Sequence, residues 1–237
     1  MEPTLPPQPP PDVPAPPPGP EAEKSWNRMT SILLLGGICL LILTPFVLSR
    51  PPFKARKNAD PVEASQNIRQ VHIALLNFES EYGAFPDAST IPVVQSRTGT
   101  TLSLGNSSSN ELFRQMFASV ARTESIFWAK TAGSPRKPDH QLGSHTLTKG
   151  ECGFTYIAGL SSSSDPFAPV AMAPVIPGTW EFDPKPFDGM AIILHVNGTS
   201  KFEPIDKNGH VMTGGMSIFD PRQPYWRGKG PDIKWPE

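Results

Sequence analysis

Hydrophobic and polar positions divide the chain into three regimes. Residues 29–48, MTSILLLGGICLLILTPFVL, carry no charged side chain over twenty positions. About 20 apolar residues in an α-helix cross a bilayer core of roughly 30 Å. Lipid also obliges the backbone to satisfy its own hydrogen bonds, so the run is expected to be a transmembrane helix. It continues into SRPPFK, not into the small-residue cleavage site of a secretory signal peptide, and reads as a retained anchor.

A second regime starts at residue 61. In PVEASQNIRQVHIALLNFESEYG, Ile68, Val71, Leu75 and Phe78 recur at intervals of three and four, with Ala64 and Ala74 beside them. This is the apolar stripe of an amphipathic helix. Glu63, Gln66, Arg69, Gln70 and Glu79 fall mostly on other faces, and His72 borders the stripe. Asp60 suits its N-cap and Pro61 its first turn, while Gly83 and Pro86 stop it. A second helix is expected over residues 110–121, opened by a capping box in Ser108-Ser109-Asn110-Glu111, with Leu112, Phe113, Met116, Phe117 and Val120 as its apolar face. Residues 124–130 add a turn or two. Residues 99–109 read as a loop, and residues 136–151 as an exposed excursion.

Beyond residue 151 the period shortens. Residues 153–158 and 170–176 are strand candidates. Residues 190–196 and 199–205 flank Asn197-Gly198, the signature of a hairpin with a type I′ turn. Residues 206–209 form a further turn. Pro204, Pro221, Pro224, Pro231 and Pro236 break the C-terminal stretch into short surface pieces, pinned to the sheet by Trp226 and Trp235. Helices followed by hairpins imply an α+β fold, one antiparallel sheet with helices on one face. The expected organisation is a tail over 1–28, the transmembrane helix over 29–48, a basic linker over 49–60 and a soluble domain over 61–237.

Composition sharpens this picture at a few points. Of 30 prolines, eleven lie in the first twenty positions. Such a tail has no core to bury and samples extended polyproline II; it is either a leader or a ligand for an aromatic-lined groove on a partner. A net charge of −1 without a basic stripe excludes a nucleic-acid binder. The two cysteines, Cys39 in the apolar run and Cys152 in the soluble part, build neither a thiolate zinc site nor a CxxC pair. No GxSxG elbow, P-loop, GxGxxG or HExxH motif is present, so no catalytic or cofactor-binding residue is assigned and the chain is not read as an enzyme. His140 and His145 have no carboxylate or cysteine in ligand register. The serine run at 161–164 reads as a loop. Asp183, Asp188, Asp206, Asn208 and Asp220 are loop oxygens of the kind that bind calcium, and equally of the kind that build ordinary turns.

The residues after the apolar run carry a resemblance. Lys54-Ala55-Arg56 is followed by Ala64, Asn67-Ile68-Arg69-Gln70, Ala74-Leu75, Phe78 and Glu81-Tyr82-Gly83, then Phe85-Pro86. This order resembles the type IV pilins and the type II secretion pseudopilins, nearest to the G-type proteins of the planctomycete and verrucomicrobial kind. GECGFTYIAGL and FDPKPFDG extend the likeness into the rest of the domain. The resemblance implies an N-terminal helix that is half anchor and half amphipathic, packed on a small antiparallel sheet, with subunits stacking helix on helix. It also implies calcium in a C-terminal loop. The chain departs from that pattern in lacking the prepilin cleavage motif: Arg28 and Thr30 flank the start of the run, which contains no glutamate. Pro51-Pro52 also interrupts any continuous helix.

The function these readings imply is a single-pass, membrane-anchored structural or assembly protein of a bacterial envelope, related to type II secretion or pili. Its partners would be the membrane and other pilin-like subunits or secretion-system proteins, with no nucleic acid and no small-molecule substrate. The alternatives are a bitopic adaptor that recruits a partner through its proline-rich tail, and an envelope enzyme. Lys and Arg near the run (Arg50, Lys54, Arg56, Lys57 after it) favour a cytoplasmic C-terminal side by the positive-inside rule. The resemblance places the anchor in the inner (cytoplasmic) membrane with the C-terminal domain outside the cytoplasm, and that is the expectation adopted.

Overall fold

The computed structural model describes residues 53–237. The apolar run, the proline-rich tail and Pro51-Pro52 lie outside the described residues. Among the described residues no helix is long and apolar enough to cross a membrane.

Helix α1, Phe53–Tyr82, opens the described chain. It starts before the expected cap at Asp60 and keeps Pro61 inside it. The stretch FKARKNA is rich in good helix formers, so the helix is already propagating when it meets the proline, which forgoes one backbone hydrogen bond. Asp60 accepts from Lys130 Nζ at 2.8 Å instead of capping, and Glu63 accepts from Lys137 Nζ at 2.6 Å. The stop is as expected: Gly83 takes a φ of 84° and its N–H bonds to Glu79 O at 2.7 Å.

The α1 stripe is the centre of the core. Ala64, Ile68, Val71, Leu75 and Phe78 are all fully buried. Polar side chains at its margin are used. Asn67 Nδ2 donates to Trp128 O at 2.9 Å, and His72 Nε2 lies 3.1 Å from Val196 O.

Two shorter helices follow. Helix α2, Ile91–Thr98, was not expected; only Val94 in it is buried, so no apolar stripe marks it. It is set instead by an Asx turn, in which Asp87 Oδ1 accepts from the N–H groups of Ser89 and Thr90. Helix α3, Ser109–Ser119, matches the second expected helix. Its cap is Ser108, whose Oγ accepts from Glu111 N at 3.2 Å, while Glu111 Oε2 accepts from Ser107 N. The reciprocal half of the capping box therefore falls one residue early. Leu112, Phe113 and Met116 are fully buried, with the Phe113 ring centroid 4.9 Å from that of Phe127 and 5.1 Å from that of Tyr156. The stretch after α3 forms one 3₁₀ turn, Glu124–Phe127.

The fold is α+β, with a five-stranded antiparallel sheet. Its strands are β1 Thr155–Ala158, β2 Pro169–Ala173, β3 Met190–His195, β4 Ser200–Pro204 and, after a small hairpin of β5 Met212–Thr213 with β6 Met216–Ser217, β7 Asp232–Lys234. The order is β4-β3-β2-β1-β7. Strand β7 was not expected, because prolines flank it on both sides; Ile233 pairs with Ile157 and Lys234 with Tyr156. An edge position accounts for this, since prolines beside a three-residue edge strand discourage further pairing. Strands β1 and β2 are buried at every position, so the sheet is covered on both faces. Helix α1 packs against β3 and β4. Phe182, Phe187, Val211, Ile218, Phe219 and Trp226, from the segments after β2 and β4, join the same apolar core.

The β3–β4 hairpin is present with a different turn. Leu194 pairs with Ser200, and His195 N donates to Thr199 O at 2.9 Å, which leaves three loop residues, 196–198, rather than two. Gly198 alone has a positive φ, 82°, with its N–H bonded to His195 O at 2.9 Å. This is a three-residue loop closed by a left-handed glycine. A Cβ on Gly198 would also stand 2.6 Å from the His72 ring. The turn therefore requires glycine twice, for its backbone and for the helix beneath it.

Two outcomes test this packing. Leu75→Asp places a charge in the centre of the stripe and should abolish the cooperative thermal transition, whereas Leu75→Ala should cost about 2–5 kcal/mol in urea unfolding. Gly198→Ala should cost at least about 1–2 kcal/mol from the left-handed backbone alone. Adding His72→Ala should recover only the part due to ring overlap, as a double-mutant cycle would read.

Candidate functional site

The aspartates considered for calcium are largely occupied by their own turns. Asp206 Oδ1 accepts from Asn208 N and His210 N, both at 2.8 Å, and these backbone bonds, His210 first, hold its carboxyl below the ordinary value. Asp220 accepts from Arg222 Nη2 at 2.6 Å and Nε at 3.0 Å, which holds its carboxyl at about 2. Asp183 Oδ1 accepts from Lys185 N. Asp183 and Asp188 line a shallow cleft of about 400 Å³ together with Asp60, Lys130 and Lys185. Among the described residues, the four aspartates do not converge as a ligand set. His140 and His145 are both exposed. Ser161 and Ser164 close a small turn, with Ser161 N donating to Ser164 Oγ, and Glu79 Oε1 accepts from Ser162 N at 2.8 Å.

A larger cleft of about 630 Å³ lies beside the β3–β4 hairpin. Phe167, His195, Lys201, Glu203, Met216 and Tyr225 are among its walls. Burial holds the His195 imidazole below its ordinary value, and its Nδ1 lies 3.3 Å from Thr199 O. Gln223, buried at the floor, spends its Nε2 on the carbonyls of Thr213, Met216 and Ser217. Among the described residues, no serine, cysteine or threonine side chain is hydrogen-bonded to the His195 ring, whose contact with Thr199 is to the backbone carbonyl, so a nucleophile and base pair is not assembled.

The arrangement that sequence reading missed is a group of three carboxylates. Glu124 opens the 3₁₀ turn after α3, Asp139 lies in the 136–151 excursion and Glu151 ends that excursion before β1. One carboxylate oxygen from each lies within 4.8 Å of the others. Glu124 and Glu151 are buried and Asp139 is exposed. Glu124 Oε1 accepts from Leu147 N at 2.6 Å, Asp139 Oδ1 from Gln141 N at 2.8 Å, and Glu151 Oε2 from Thr148 N and Oγ1, both at 2.8 Å. Glu124 Oε2 is buried without a partner. Burial pushes the Glu124 carboxyl up, reinforced by the charges of Glu151 and Asp139 and opposed by the backbone N–H groups of Leu147 and His140. The excursion is thus only partly exposed. Asn110 Nδ2 and Arg114 Nη2 of α3 donate to Leu147 O, Arg114 Nε donates to Thr146 O, and Leu147 itself is fully buried.

Cys152, next to this group, is buried and free, with its Sγ 3.6 Å from Ser109 Oγ. Burial pushes its thiol up to about 11. The following Gly153 lies against the Ala129 backbone, leaving no room for a Cβ. No family model, curated protein or solved structure matches the chain.

Because the thiolate is the reactive form, Cys152 should resist iodoacetamide at pH 8 in the folded protein and react within minutes in denaturant. Peptide mass mapping separates it from Cys39. Rapid labelling of the native chain would contradict the burial of this site.

Proposed function

We propose that the chain is a membrane-anchored, pseudopilin-like structural or assembly protein of a bacterial envelope, acting through helix packing and surface contacts. The observation that carries this reading is the position of α1. Only four residues separate its start at Phe53 from the end of the twenty-residue apolar run, and its C-terminal half is buried along an antiparallel sheet. An anchor followed directly by a helix that the domain grips is the arrangement expected of a pilin-like subunit. The outer side of α1 supports it further. Val62 is 55% exposed, Ile73 59% and Leu76 39%, apolar surface that a neighbouring subunit's helix would cover. On this reading the domain stands outside the cytoplasm, the anchor lies in the inner membrane, and the proline-rich tail remains on the cytoplasmic side.

Topology and the mature N-terminus test this together. Protease added to intact spheroplasts should remove the C-terminal domain, and intact-mass measurement should find the tail still attached. A domain protected until the membrane is opened would overturn the reading, because a pilin-like subunit assembles outside the cytoplasm. Ile73→Arg, on the exposed face, should leave thermal stability within about 0.5 kcal/mol while reducing crosslinked oligomers in the membrane.

A further inference from the structure

We propose that the turn between β2 and β3, residues 176–181, is a lipid contact: Ile176, Pro177 and Trp180 seat in the headgroup region of the bilayer that holds the apolar run. This rests on the reading of residues 29–48 as an anchor, and gives the domain a second hold on the same membrane.

The turn is built to present these side chains. Ile176 N donates to Glu181 O at 2.8 Å, Thr179 N and Oγ1 both donate to Ile176 O, and Glu181 N donates to Thr179 Oγ1. Gly178 supplies the positive φ, 79°, that closes it. Its base is tied to the fold by the bonds from Phe182 N to Gly209 O at 2.7 Å and from Trp235 Nε1 to Thr179 O at 2.9 Å. A loop fixed in this way loses little further freedom on contact. At its base Val175 and Phe182 are buried, whereas Ile176 is 38% exposed, Trp180 50% exposed and Pro177 exposed between them. Single apolar side chains on a surface are ordinary, but three on one rigid turn form a patch. Trp226 and Trp235 spend their indole N–H groups on Ile218 O and Thr179 O, while that of Trp180 has no acceptor among the described residues. A ring with an apolar body and a free N–H is the kind of side chain that collects at the headgroup level.

Packing puts the turn at the end of the domain where α1 begins. Asp60 accepts from Lys130 and shares a cleft with Asp183 and Lys185, just past the turn. A Cβ on Gly133, three residues beyond Lys130, would stand 3.6 Å from Pro177 Cγ. The β3–β4 hairpin lies farther along α1, over His72. From Leu48 to Phe53 the backbone reaches at most about 18 Å, and from Phe53 to Asp60 α1 rises about 10 Å. That short tether keeps this end of the domain near the bilayer and commits its uncovered apolar turn to lipid. Glu181 and Lys185, both exposed beside the turn, balance its charge. Seating therefore depends on apolar insertion and needs no anionic lipid.

The test uses the full-length chain carrying Cys39→Ala, reconstituted in phosphatidylcholine vesicles. A bimane label is attached at Glu181→Cys in one preparation and at Phe167→Cys, beside the β3–β4 hairpin, in another; buried Cys152 stays unlabelled. Some of the lipid carries a nitroxide on the acyl chain near its headgroup. Interfacial segments sit about 5–10 Å into the boundary of headgroups and acyl chains, so emission from position 181 should fall to about half or lower. Emission from position 167 should be unchanged. Adding Ile176→Ser and Trp180→Ser should restore the signal at 181 without moving the thermal transition, since both side chains are exposed. Flotation of the vesicles separates the two ways of failing. A chain that does not float with them overturns the anchor reading and this inference with it. A chain that floats while its label at 181 stays bright overturns this inference alone, and iodide quenching then shows whether water or a neighbouring copy meets the turn. Equal quenching at 181 and 167, or quenching that survives both serine changes, overturns it as well.

Discussion

The buried stripe of α1 is the contact on which the rest of the domain depends. Ile68, Val71, Leu75 and Phe78 are fully buried, and full burial of side chains of this kind is worth about 1.5–3 kcal/mol each as an upper estimate. The stripe alone does not fix the helix along its axis, since an apolar face slides easily over another. Its polar margin does: Asn67 reaches the Trp128 carbonyl, His72 the Val196 carbonyl and Arg69 the Ser200 hydroxyl. Three directional bonds, two to the β3–β4 hairpin and one to the segment after α3, turn a greasy contact into a registered one. The hairpin loop must then pass over His72, which is why it closes through Gly198.

The opposite end of the domain is organised by polar contacts around the start of α3. Ser109 N donates to Trp235 O, Ser108 Oγ lies 2.6 Å from Glu237 Oε1, Glu237 N donates to Asn110 Oδ1, and Gly150 N donates to Glu237 O. The orphan donors of a helix N-terminus are thereby shared between the Ser108 cap and the strand-like C-terminal segment. Trp235 adds its Nε1–H to Thr179 O. The indole bonds do not reach the sheet as expected: Trp226 Nε1 donates to Ile218 O within the same segment and Trp235 to the loop before β3, while backbone pairing of β7 with β1 and these caps attach the segment.

Periodicity was legible wherever one face was buried and the other was not. The α1 stripe, the α3 face and the β3–β4 hairpin could be read because their apolar spacing is dictated by burial. Helix α2 escaped because Val94 is its single buried residue, so its cause lies in the Asx turn at Asp87 and the link from Thr90 Oγ1 to Gln115 Oε1, which no period reports. Strand β7 escaped because its prolines look like loop punctuation until the edge it lines is known. The start of α1 was misplaced for the reverse reason. Asp60 and Pro61 are a plausible local start, and the helix formers before them overrode it. The carboxylate group was illegible because Glu124, Asp139 and Glu151 are separated by more than ten residues at each step and follow no motif spacing.

Acidic residues in loops look alike in a sequence, and hydrogen-bond accounting is what separates them here. Asp206 and Asp220 sit in the glycine-, proline- and asparagine-rich text that suggests a calcium loop, yet Asp206 Oδ1 is committed to two backbone N–H groups and both Asp220 oxygens to Arg222. An oxygen already accepting good bonds gains little from a cation that would displace them. Glu124 looked like the ordinary acidic start of a helical turn, yet its carboxylate is buried with one oxygen unpartnered and two other acids beside it. The same accounting bears on catalysis. Among the described residues no hydroxyl or thiol side chain is hydrogen-bonded to the His195 ring, and burial holds the Cys152 thiol protonated.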